Sequence, residues 1–79
     1  MMEVTREQES EIMSYAFCGY EWKSCRRLID AIKSGKIRKE NWWDGIRKMC
    51  RNIHSDHNIR FWERLSEGAY KILFEEGER

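Results

Sequence analysis

Cys50-x3-His54-x2-His57 sets three potential zinc ligands close together, and Cys25 supplies a fourth candidate from elsewhere in the chain. Zinc is held by four N or S donors in a tetrahedral array, and small domains often depend on such a site for stability. The spacing does not match the usual paired frameworks. No CxxC occurs, and Cys18 and Cys25 fall two helical turns apart, ~10.5 Å, too far to share an ion. Cys50 therefore reads as a small core side chain and the two histidines as loop residues, so neither a metal nor another cofactor is expected. Asp56 lies between His54 and His57 and suggests a base with its orienter. No nucleophile stands beside them, and so short a chain has little with which to close a water-free site. No catalytic residue, no enzyme activity and no small-molecule substrate are expected.

Charge carries more information than titratable chemistry does. The chain of 79 residues has a net charge of +1. Residues 1–22 hold one Arg against five Glu, and residues 23–51 hold ten Lys and Arg against Asp30, Glu40 and Asp44. Residues 52–79 return to acidic, with four basic against six acidic side chains. A basic middle between acidic ends suits phosphate backbones. Arg26, Lys33, Lys36, Arg38, Lys39, Arg47, Lys48 and Arg51 are the residues that would make such a nucleic-acid patch.

Aromatic residues point to a protein partner. Three Phe, four Trp and three Tyr exceed what a few short helices bury against one another. Trp42 and Trp43 are sequence neighbours, about 100° apart on a helix, and Phe61 and Trp62 stand in the same relation. One member of each pair is expected at the surface. Trp42 or Trp43 with Phe61 or Trp62, ringed by Arg38, Arg47 and Arg51, has the composition of an interaction hot spot. An acidic protein surface or a second copy of the chain would fit it.

Helices must position these groups. There is no proline, and Glu, Lys, Arg and Met abound, which favours an all-α fold. Thr5 and Gln8 have the spacing of a capping box. From there Tyr15, Cys18, Trp22, Cys25, Ile29 and Ile32 recur three and four residues apart, one apolar seam. This predicts a long first helix over about residues 6–34, bent or broken at Gly19 and stopped at Gly35. Trp42, Trp43, Ile46, Met49, Cys50 and Ile53 predict a second helix over about 41–53. Ile59, Trp62, Leu65, Ala69, Ile72 and Leu73, with Phe61 and Phe74 beside them, predict a third over about 58–76. Residues 1–79 are thus read as one domain, a small antiparallel three-helix bundle.

Three cysteines are an odd number, the first residues lack an apolar leader segment, and no apolar run approaches ~18 residues. A reduced, cytoplasmic protein with no membrane partner is expected. Its function reads as binding: a regulator or inhibitor, of the kind often made by phages and other mobile elements, acting through an aromatic and basic surface. The alternative is a nucleic-acid-binding regulator that uses residues 23–51.

Overall fold

Helix-forming residues dominate the chain, and every regular element among the described residues is helical. The computed structural model describes residues 3–50 and 56–75, with side chains from 58 onward in the second stretch. It contains α1 (Arg6–Met13), α2 (Gly19–Lys33), α3 (Trp42–Met49) and α4 (Asp56–Tyr70). A 3-10 turn at Lys39–Asn41 leads into α3, and a π turn at Lys71–Glu75 extends α4.

Thr5 opens α1 as the sequence suggests. Its hydroxyl accepts the Gln8 N–H at 3.1 Å, while the Gln8 side chain accepts the Thr5 N–H at 2.9 Å, so two orphan donors are satisfied reciprocally. The expected long first helix is in fact two. α1 stops at Met13, residues 14–18 leave the helix, and Gly19 opens α2. The break therefore precedes the glycine. Two side chains favour it. Ser14 Oγ donates to the Glu11 carbonyl at 2.6 Å, in competition with the helical ladder. The Glu21 carboxylate accepts the Phe17 N–H at 2.9 Å from inside the first turn of α2, as a cap does. The seam that spans the break loses its meaning there: Cys18 and Trp22 are exposed, while Cys25, Ile29 and Ile32 stay in the core.

α2 ends where Gly35 predicts. Gly35 has φ 85°, a left-handed conformation that glycine adopts without steric cost. Its N–H donates to the Ile32 carbonyl at 3.2 Å, and the Ile37 N–H reaches the Ala31 carbonyl at 3.2 Å. Asn41 then pins the link, accepting the Arg38 N–H at 2.7 Å and donating to the Lys36 carbonyl at 3.1 Å. The expected second helix is shorter than residues 41–53: Asn41 belongs to the 3-10 turn, α3 ends at Met49 with Cys50 as its C-cap, and residues 51–53 lie outside the described residues.

The core joins Ile12 of α1, Cys25, Leu28, Ile29 and Ile32 of α2, Trp42 and Ile46 of α3, and the inward face of α4. Trp42 is its largest fully buried side chain. Its indole N–H donates to the Ser66 carbonyl at 3.1 Å, and its ring meets Phe74 edge-on at 5.3 Å. The π turn brings Ile72, Leu73 and Phe74 into the core in succession. Replacing Gly35 with alanine is expected to cost about 1 kcal/mol, the strain of a left-handed residue with a Cβ, seen as a lower urea midpoint with unchanged helicity.

Candidate functional site

Trp43 is the aromatic anchor that the fold leaves open. It is 51% exposed, whereas Trp42 beside it is 1% exposed. The expectation that this pair splits between core and surface holds. The same expectation for Phe61 and Trp62 does not, since they are 2% and 7% exposed. α4 packs against α1 and also walls a groove with α3, so its buried arc is wide enough to take two adjacent side chains. Trp42 and Phe61 are therefore core residues, and Trp62 reaches the surface only as part of a groove floor.

That groove runs between α3 and α4 and has a volume of about 500 Å³. Trp43 and Arg47 line it from α3, Ile59, Trp62 and Glu63 from α4, with Ile46 and Cys50 deeper in. Trp43 and Arg47 are one helical turn apart, so they project on one face. The Trp43 ring stacks on Tyr70 at 5.8 Å and 20°, and Tyr70 in turn meets Phe74 at 4.9 Å. The exposed indole is thus held by a chain of rings that ends in the core. Arg47 makes a loose 3.6 Å pair with Asp44, an exposed contact of the kind worth little. Arg38 faces Glu40 at 3.9 Å, and Arg51 lies outside the described residues.

Sequence reasoning missed Ile59. Its place on the α4 stripe assigned it to the core, yet it is 44% exposed on the groove wall. Periodicity marks which face of a helix is apolar, not how far along that face the neighbouring helix reaches.

The eight cations expected to form one patch are divided. Arg26 and Lys33 both grip Glu9 of α1, at 2.9 and 2.7 Å. The acidic N-terminal segment folds onto the basic middle and neutralises part of it. Lys39 lies over the Phe74 ring at 5.7 Å. Lys36 and Lys48 face a different groove, between α2 and α3. Lys33 and then Arg26 hold the Glu9 carboxyl below its usual range. A carboxyl depressed in the folded state stabilises above its unfolded pKa, and that contribution disappears as pH falls through the lower, folded value. Glu9→Gln is accordingly expected to lower stability at neutral pH and to flatten the loss on acidification, as read by urea midpoints across the acid range.

Cys25 is buried and Cys50 half-buried. Burial pushes Cys25 up to about 11, with Glu21 adding to the shift, and burial pushes Cys50 up to about 11 against the opposing charge of Arg27. Both are protonated at neutral pH, and the thiolate is the reactive and metal-binding form. Among the described residues no three His, Cys, Asp or Glu side chains gather as a ligand set. His54 and the side chains of Asp56 and His57 lie outside those residues. No described helix is long and apolar enough to cross a membrane. No family model, curated protein or solved structure matches the chain.

Proposed function

We propose that this chain is a small helical binding protein, a regulator or inhibitor that docks its Trp43 face on an acidic surface of a protein partner. One observation carries the reading: Trp43 is half-exposed yet held by its stack on Tyr70, beside the α3–α4 groove. A rigid aromatic ring loses little conformational entropy when it is covered, which is why such rings serve as anchors. Arg47 on the rim supplies the charge that an acidic partner would meet, and Ile59 with Trp62 supplies the apolar slot for a partner side chain.

The test uses a labelled amphipathic helical peptide with leucines on one face and glutamates flanking them, beside a twin carrying lysines in place of the glutamates. Saturable binding of the acidic peptide is expected, at least ten-fold weaker after Trp43→Ala and after Arg47→Glu, with far-UV circular dichroism unchanged. Equal binding of the lysine twin, or no response to Trp43→Ala, would remove this reading. Sedimentation over a range of concentrations separates the other occupant. A dimer that disappears with Trp43→Ala would place a second copy on this face instead of a foreign partner.

A further inference from the structure

A second groove lies on the other flank of α3, between α3 and the C-terminal half of α2. Its volume is about 440 Å³, and a shallower extension of about 250 Å³ shares Ala31, Lys36 and Met49 with it. Three cations line the two parts: Arg27 from α2, Lys36 from the link after Gly35, and Lys48 from α3. None of the three makes an ion pair with a described residue. Two carboxylates also reach the rim, Asp30 and Asp44, and both are turned towards cations outside the groove. Asp30 pairs with Arg26 at 3.4 Å and Asp44 with Arg47 at 3.6 Å. Three cations against two carboxylates leave the lining of the two parts with a net charge of +1.

Its floor is apolar and low. Ala31, Ile37, Gly45 and Met49 form it. Gly45 is kept small by Ile37, whose Cγ1 would stand 3.0 Å from a Cβ there. An open groove with three unpaired cations on its walls and an apolar floor suits a chain that carries both phosphates and exposed flat bases. A single nucleic-acid strand has both, whereas a duplex turns its base faces inward. We infer that the Arg27–Lys36–Lys48 groove binds single-stranded nucleic acid, with phosphates on the three cations and base or sugar faces over Met49, the partly exposed side chain of the floor.

Of the sequence-based set only Lys36 and Lys48 line this groove, and the fold adds Arg27 to them; Arg26 and Lys33 are turned to Glu9, and Arg38, Lys39 and Arg47 lie elsewhere. This surface is independent of the Trp43 face, so either can fail alone. The experiment is fluorescence anisotropy with a labelled single-stranded oligonucleotide of about 12 nucleotides, within the usual site size of small binding domains, and a duplex of the same length. Micromolar binding at low salt is expected, falling about ten-fold or more between roughly 50 and 200 mM salt. Arg27→Glu, Lys36→Glu and Lys48→Glu should each weaken it at least about five-fold, and each should lower the salt slope by about 1. Arg6→Glu makes the same charge change on the exposed face of α1, and Trp43→Ala removes the other surface. Both should leave the affinity within two-fold. Circular dichroism confirms that each variant is folded. No binding at low salt, equal weakening by Arg6→Glu, or a duplex that binds as tightly as the single strand would each overturn the inference.

Discussion

Trp42→Ala is expected to cost about 3–5 kcal/mol of folding free energy, the range for truncating a large buried aromatic side chain. A chain of this length has a total stability of roughly 4–12 kcal/mol, so the variant should be largely unfolded at the lower end. Three losses combine. The ring leaves a cavity in the core, where Trp42 is 1% exposed. Edge contacts with Phe74 at 5.3 Å and Tyr70 at 5.9 Å disappear. The Ser66 carbonyl loses the indole N–H that reaches it from 3.1 Å. Trp42→Phe separates the last of these from the first, because it keeps most of the volume and removes the donor, at about 1–2 kcal/mol. Trp43→Ala is the comparison that sharpens the result. It truncates the adjacent tryptophan, which is half-exposed and rests on a single ring, and should cost only about 0.5–1.5 kcal/mol. Urea unfolding followed by circular dichroism reads all three. Equal costs at 42 and 43 would mean that the two rings are not divided between core and surface.

The division between Trp42 and Trp43 was readable from the sequence as a split between residues about 100° apart facing a single seam, a rule that Phe61 and Trp62 do not obey. The Thr5–Gln8 cap and the Gly35 stop were readable because each is settled within one turn of chain. What escaped the sequence depends on partners far along the chain. Glu9 meets Arg26 and Lys33 only once α1 folds back on α2, so counting charge by segment overstated the basic patch. Phe61 and Trp62 are both buried because α4 has neighbours on two sides, which no pattern within residues 56–70 reveals. The seam through Tyr15, Cys18 and Trp22 kept its period across a break that hydrogen bonds of the Ser14 and Glu21 side chains favour. Periodicity reports the apolar face where a helix exists; it does not report that the helix continues.

Gly68 shows how much such a break can matter, and it leads to the second large effect. Leaving the helix after α1 lets Tyr15 lie across α4, with its phenol over Gly68. A Cβ built at position 68 would overlap the Tyr15 oxygen and ring. Alanine is the better helix former by about 1 kcal/mol, so propensity alone favours Gly68→Ala. Packing opposes it. Gly68 is buried and Tyr15 is half-buried against the core, so the ring has to swing out and give up its contacts. Overpacking of this kind typically costs about 1–3 kcal/mol, and the net effect of Gly68→Ala is expected to be destabilising. A double-mutant cycle decides it. With Tyr15→Ala already in place the overlap is gone, and adding Gly68→Ala should then stabilise by up to about 1 kcal/mol. The same substitution thus changes sign with the residue at position 15. If Gly68→Ala stabilised the unaltered chain, Tyr15 would not rest on α4, and the return of the chain after α1 would have to be held by its other contacts, among them Ile12, the Glu9 ion pairs and Phe17 under Arg64.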